Sequence, residues 1–184
     1  KTRHGIGIID EIIQEPTVLI AGNNANVSGN EQSWSAYYVM TENDNDTNAV
    51  SFSIEFKDSA GNEGITRTDG AVGSVRFDKT APTITAVTQP WGNYLNATED
   101  DDDKTIAVTT LNVEDGQILS LGLNGKNYDG TINDNSVNIV ISGEDLRDLT
   151  DDGTSYQISA NVSDAAGNAA TEVFSNYFFT YDKT

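Results

Sequence analysis

Phe77-Asp78-Lys79-Thr80-Ala81-Pro82-Thr83-Ile84-Thr85 is the stretch whose reading decides the fold. Its first half recurs at the end of the sequence as Tyr181-Asp182-Lys183-Thr184. An aromatic residue, an Asp and a Lys-Thr pair therefore close two successive blocks. In the first copy, Ala-Pro-Thr-Ile-Thr then runs on into new strand-like sequence. A second phrase repeats with the first: Asp58-x-Ala-Gly-Asn62 returns as Asp164-x-Ala-Gly-Asn168, 106 residues on (164 − 58), against 104 for the Asp-Lys-Thr pair (182 − 78). Two matched motifs at near-equal period are the signature of tandem domains of one design. The joint divides the sequence into a first domain over residues 1–80 and a second over 81–184.

Between the repeated phrases the sequence reads as short strands. Val50-Ser51-Phe52-Ser53-Ile54-Glu55-Phe56 alternates apolar and polar strictly, the pattern of a half-buried strand. Pro16 to Ile20, Trp34 to Met40 and Val72 to Phe77 give further strands in the first block. So do Ile84 to Val87, Ile106 to Val108, Ile118 to Leu121, Val137 to Ile141, Tyr156 to Val162 and Val173 to Tyr181 in the second. The Ile-rich run Gly5 to Ile13 is a further candidate, and Leu146 to Leu149 reads as a single helical turn. Asn124-Gly125 marks a hairpin turn, and Gly22-Asn23-Asn24 another turn. Strands every eight to twelve residues with polar turns between them indicate β-sandwiches.

Apolar residues make up only 36% of the 184, alongside 16 Gly and 3 Pro. That suits short strands joined by polar turns better than a dense helical core. No run approaches the roughly 18 apolar residues that cross a bilayer, so the segment is expected to be soluble and without a membrane span. With 29 acidic against 10 basic residues the formal charge is −19, and no basic patch is available to displace counterions from nucleic-acid phosphates. The acidity has two readings: a solvated surface that resists aggregation, or carboxylates placed for hard cations such as Ca²⁺. The absence of cysteine excludes disulfides and thiolate zinc sites. His4 is the only histidine, and neither a Gly-x-Ser-x-Gly elbow nor a phosphate loop occurs, so no enzyme is expected.

Aligning Ile20-Ala-Gly-Asn-Asn24 with Leu123-Asn-Gly-Lys-Asn127 exposes a deficit at the start of the first block. That block lacks the counterpart of residues 81 to 104, a first strand and the loop after it. Truncation, a shorter variant, or a strand supplied in trans each account for it, since an unpaired edge invites another chain.

Asp-x-Ala-Gly-Asn followed by aromatic-Asp-Lys-Thr-Ala-Pro-Thr-Ile resembles the tandem bacterial Ig-like domains of giant repetitive surface adhesins, cadherin-like in logic. Glu114-Asp115-Gly116-Gln117 with Tyr156 to Asn168 looks like one such module, and Pro16 to Thr83 like its sister. The likeness covers nearly the whole chain, with residues 1–9 departing from it. It implies an all-β chain of two Ig-like Greek-key sandwiches end to end, an extracellular stalk at the bacterial surface, and several Ca²⁺ ions at or near the joints. It also implies a monomer whose partners are neighbouring repeats, with any cell-surface ligand held by a distal region. Calcium takes six to eight oxygens, and the likeness assigns them here to Asp58, Asn62, Asp78 and Glu11 for one joint. Asp164, Asn168, Asp182 and Glu114 repeat the set. Against this stands a plainer role for Asp-x-Ala-Gly-Asn as a turn, with Asp and Asn accepting backbone N–H bonds and Gly supplying a positive φ. Glu99 to Asp103 reads as a solvated loop, and Trp34 and Trp91 as packing residues rather than sugar platforms. An alternative function is an adhesive module that contacts carbohydrate or a host-cell protein directly.

Overall fold

A computed structural model of the chain describes residues 2–5 (as backbone), 11–68 and 74–183. The chain divides into two compact units, Lys1–Lys79 and Thr80–Thr184.

Unit 1 carries β1 (Thr2–Gly5), β2 (Thr17–Ile20), β3 (Asn23–Asn24), β4 (Asn26–Asn30), β5 (Ser33–Tyr38) and β6 (Phe52–Glu55). They form two three-stranded sheets, in the orders β1-β5-β4 and β3-β2-β6. The chain from Asn23 to Asn30 serves both, pairing first with β2 and then with β5. Val18, Ile20, Ala36 and Val50 are the buried centre, and Tyr38, Met40, Phe52, Ile54 and Phe77 pack around them half-buried.

Unit 2 contains β7 (Thr83–Thr88), β8 (Tyr94–Asn96), β9 (Lys104–Leu111), β10 (Ile118–Leu123), β11 (Lys126–Thr131) and β12 (Ser136–Ile141). The helix α1 (Gly143–Arg147) follows, and then β13 (Ser155–Tyr156), β14 (Ser159–Val162), β15 (Val173–Phe174) and β16 (Phe179–Asp182). One sheet runs β12-β9-β7 and the other β11-β10-β14-β15, with β13-β16-β8 as a third ladder. Strands adjacent in sequence, such as β9 and β10 or β11 and β12, lie in different sheets, as a sandwich requires. Burial follows the pleat: Ile106, Val108 and Thr110 of β9 are buried while their neighbours face out. Leu119, Leu121 and Leu123 of β10 do the same from the opposite sheet. Both sets join one core with Ile139, Ile158, Phe179 and Tyr181. The fold is all-β and Ig-like.

The two units share pairing register. Thr17 lies opposite Glu55 and Val18 opposite Ile54. The corresponding residues of unit 2 pair identically, Ser120 with Asn161 and Leu121 with Ala160. Ile54 exchanges backbone hydrogen bonds with Arg67, as Ala160 pairs with Val173. In β1, His4 lies opposite Ala36, at the place where Ile106 of β9 faces Ile139.

Several elements differ from the sequence reading. The single helical turn is not at 146–149 but at Gly143–Arg147, because the Ser142 side chain caps it by accepting from the Asp145 N–H. The predicted last strand is two, β15 and β16, separated where Ser175 turns its hydroxyl onto the Tyr177 carbonyl. Tyr156 to Val162 is likewise split, with Gln157 Nε2 donating across the break to the Ser175 carbonyl (2.8 Å). Of the expected strand Val72 to Phe77, only an isolated bridge between Phe77 and Thr47 appears among the described residues, and residues 72 and 73 lie outside them. Of the Ile-rich run Gly5 to Ile13, residues 6–10 also lie outside them. Asn124-Gly125 does form the β10–β11 turn, both residues having positive φ (48° and 76°).

Candidate functional site

The two Asp-x-Ala-Gly-Asn loops adopt one geometry, stapled by the first side chain. In unit 1 the Asn62 backbone N–H donates to Asp58 Oδ1 (2.8 Å) and Asn62 Nδ2 donates to Asp58 Oδ2 (2.7 Å). In unit 2 the Asn168 N–H donates to Asp164 Oδ1 (2.8 Å) and Asn168 Nδ2 to Asp164 Oδ2 (2.9 Å). The backbone closes around each pair: the Asp N–H donates to the Asn carbonyl at 3.0 Å and the Gly N–H to the Asp carbonyl at 3.1 Å in both loops. Gly61 (φ 94°) and Gly167 (φ 90°) supply the left-handed residue that the tight return needs. The plainer reading of the motif, a turn with Asp as acceptor, is therefore realised in both copies. Donation from the Asn62 side chain, then from its backbone, holds the Asp58 carboxyl below its ordinary range.

The loops differ in exposure and in company. Asp164 is buried (4% exposed) while Asp58 is half-buried. Glu114 Oε2 accepts from the Ala165 N–H (3.0 Å), which brings a second carboxylate onto the unit 2 loop. Glu11, its counterpart by sequence alignment, is exposed, and Gln14 instead reaches the unit 1 loop, donating Nε2 to the Asp58 carbonyl (3.0 Å). Asp78 Oδ2 is ion-paired with Arg76 at 2.8 Å. Asp182 ends β16, opposite Asn96 in a parallel pair.

Carboxylate and amide oxygens are the right donor type for Ca²⁺. Their number is short: among the described residues, no three Asp, Glu or His side chains gather at one point. Each Asn amide turns its Nδ2 toward the Asp, and a half-turn of that amide would present Oδ1 instead.

Two acids outside the predicted set are also buried and hydrogen-bonded. Asp44 is 8% exposed and accepts from the Thr41 N–H (2.7 Å), Thr41 Oγ1 (3.1 Å), Asn23 Nδ2 (3.0 Å) and the Tyr38 hydroxyl (3.2 Å). These donors, the Thr41 N–H foremost, hold its carboxyl below the ordinary range. Asp44 lines a polar cavity of about 630 Å³ with Asn43, Thr47 and Ser51. Its only sequence signal is the Thr-x-x-Asp spacing of a cap. Asp100 corrects the reading of residues 99–103 as a solvated loop. It is 3% exposed, its carboxylate accepts the Tyr181 hydroxyl, and its carbonyl accepts from Arg147 (2.6 Å). Asp103 adds a bond from the Gly143 N–H (3.1 Å), so this loop is tied to α1 rather than dissolved in water. Trp91 is buried and meets Phe179 edge-on at 5.2 Å, a packing residue as expected.

The chain is similar to bacterial Ig-like adhesin domains. One such structure belongs to a 1.5-MDa bacterial ice-binding adhesin studied for host cell surface retention, at 22% identity and TM-score 0.47, over 99% of this chain and 57% of that one. A second is a Ca²⁺-stabilised adhesin with which an Antarctic bacterium reaches out and binds ice, at 22% identity and TM-score 0.46, over 97% and 42%. A third is a bacterial immunoglobulin-like domain of the M. primoryensis ice-binding adhesin, at 24% identity and TM-score 0.35, over 55% and 95%. This chain thus spans 57% and 42% of the length of the first two. No protein-family model matches the sequence. No curated protein matches it either. These Ig-like relatives in structure are adhesin domains, not enzymes. Among the described residues no helix is long and apolar enough to cross a membrane.

Proposed function

We propose that this chain is a pair of extender repeats from a bacterial surface adhesin, a stalk that holds a distal ligand-binding region away from the cell and performs no catalysis. The observation that carries the reading is internal. Two Ig-like units with the same register each end a strand in the same stapled Asp-x-Ala-Gly-Asn loop, and each is followed by aromatic-Asp-Lys-Thr. Repetition of a whole unit with its loop chemistry intact is what a modular spacer needs, since every copy then presents the same end to its neighbour.

In this proposal Ca²⁺ rigidifies the stalk at or near the joint sequences; the Antarctic adhesin to which the chain is similar is itself Ca²⁺-stabilised. Asp164, Asn168 and Glu114 supply part of one shell, and Asp58, Asn62 and Glu11 part of its counterpart. Asp78 and Asp182, in the sequences that follow, complete the assignment. Bringing such acids together without a cation costs repulsion that Ca²⁺ removes, so ion binding and stiffness are coupled. A second reading, a module that binds carbohydrate or a host protein directly, is favoured by one observation: Tyr94, Tyr177 and Phe178 of unit 2 are 66%, 55% and 61% exposed.

Melting curves with Ca²⁺ and with EDTA, read beside small-angle scattering, test the stalk. A rise in Tm on adding Ca²⁺, with a longer and stiffer particle, is expected. An unchanged melt and an unchanged maximum dimension would defeat the calcium reading. Saturable binding of the same fragment on a glycan array would favour the second reading.

A further inference from the structure

The link from β5 to β6 in unit 1 corresponds to the link from β12 to β14 in unit 2, and the two are built differently. In unit 2 the link forms α1, with Leu146 fully buried and Leu149 buried just beyond it. In unit 1 the link, residues 39–51, forms no helix and buries only Asp44 and Val50. The polar cavity of about 630 Å³ beside Asp44 opens along this link.

The charges differ as well. Lys126 of unit 2 donates its ammonium to two acids of its link, Asp145 (2.5 Å) and Asp148 (2.8 Å). The aligned residue of unit 1 is Asn23, which donates Nδ2 to Asp44 Oδ1 (3.0 Å). The link of unit 1 therefore holds a buried carboxylate with neutral donors alone, from Asn23, Thr41 and Tyr38. Lys79 reaches the same loop, but its ammonium donates to the Glu42 carbonyl (2.5 Å) and it does not line the cavity. A buried charge without a counter-charge is costly, and a cation entering beside it relieves that cost.

The donors around Asp44 are spent. Asn23 Nδ2 also donates to the Ala21 carbonyl (3.1 Å), and the single Tyr38 hydroxyl proton is shared between the two Asp44 oxygens (3.2 Å each). What these groups keep for the cavity is acceptor capacity, on Asn23 Oδ1, the Tyr38 oxygen and the carboxylate itself. An ammonium, with donors and no acceptor, is the matching head group. Further along, Asn43, Asn45 and Ser51 line the cavity with exposed amides and a hydroxyl. Ring hydroxyls can pair with such a wall, whereas the methylene stem of a lysine would leave it unpaired.

We propose that this cavity of unit 1 binds a protonated amino sugar. The ammonium sits on Asp44, as Lys126 Nζ sits on the acids of unit 2, and the ring hydroxyls bond Asn43, Asn45 and Ser51. The site stands whether the chain serves as a stalk or as an adhesive module.

Titration of the whole chain with D-glucosamine, followed by backbone amide chemical shifts at about pH 6, where such an amine is protonated, tests the site. Saturable shifts confined to residues 21–23, 38 and 41–51 are expected, and their absence would overturn the proposal. Glucose and N-acetylglucosamine, which lack the charge, are expected to bind at least about tenfold more weakly, as is butylamine, which lacks the ring hydroxyls. Parity of glucose with glucosamine would refute the ammonium contact, and parity of butylamine would refute the sugar body. Shifts at Tyr94, Tyr177 and Phe178 instead would place sugar binding on unit 2 and overturn this site. Asp44→Asn is expected to weaken glucosamine about tenfold or more. Asn23→Lys keeps the test sound if that variant folds poorly, because it supplies in unit 1 the ammonium that unit 2 carries at Lys126. It is expected to abolish the saturable shifts while leaving the unit 1 melting transition unchanged or higher, and undiminished binding by this variant would refute the proposal.

Discussion

Tyr181→Phe removes one oxygen from a fully buried ring and tests whether the Asp-rich loop is structural. Tyr181 is 0% exposed and Asp100 3% exposed, and the phenol donates to the Asp100 carboxylate. Burial, and then that bond, push the Tyr181 hydroxyl well above its ordinary pKa, so it remains a donor throughout the accessible range. Phe preserves the packing with Leu95 but leaves a buried carboxylate short of its donor. Leaving a buried charged acceptor unsatisfied costs about 2 kcal/mol, and in a domain of this size that lowers Tm by about 10 °C. The assay is calorimetry on the whole chain, following the unit 2 transition, with Asp100→Ala and the double variant closing a cycle. The double variant is expected to be less destabilised than the two singles together, with a coupling of about 1 kcal/mol or more. A Tyr181→Phe loss of under about 0.5 kcal/mol, the range of ordinary surface substitutions, would refute the argument and return residues 99–103 to a solvated loop.

Two further outcomes follow from the electrostatics. Because the folded state holds Asp58 and Asp44 below the ordinary carboxylate pKa of 3.8, their contribution is complete above that value and is lost as pH falls through the lowered folded values. Unit 1 is therefore expected to weaken in acid below about pH 4, and Asp58→Ala should flatten that dependence in a pH series of melts; an unaltered slope would contradict the staple. Tyr128 behaves in the opposite sense. Burial and its bond to Asp145 raise it from 10.0 to about 12, so the stabilisation is present below pH 10 and disappears as pH rises toward 12. Ultraviolet phenolate titration should show this tyrosine ionising late, and Asp145→Ala, which also frees Lys126 from its 2.5 Å partner, should bring it earlier.

The likeness of the two loops was legible in the sequence because Asp, Gly and Asn act locally. A carboxylate four residues before an Asn, with Gly between them, needs only its own backbone to form the turn, and both copies form it. The alternation of β9 and β10 was legible for the same reason, since a pleated strand shows its buried face at every second residue. The company those loops keep was not. Glu114 reaches Ala165 from 51 residues away, and Asp78 lies against Arg76. The first contact has no spacing that a one-dimensional pattern reveals, whereas Arg76 and Asp78 are two residues apart, the same-face spacing of an extended segment.

The acids make the division plain. By itself, the sequence determined an all-β, cysteine-free, strongly acidic chain built on a repeat of about 105 residues, because composition, period and alternation are properties of neighbours along the chain. Only the tertiary structure decided which carboxylates are buried. Asp100 stands among four consecutive aspartates that look alike on paper, yet it alone of them is buried, beneath the Tyr181 hydroxyl that arrives 81 residues later. Asp44 is enclosed because Asn23 reaches it from 21 residues away while Tyr38 and Thr41 close on it from the stretch just before it. Desolvation and hydrogen bonding depend on what the fold brings near, and that information resides in the packing of the sheets of each unit rather than in any single stretch of residues.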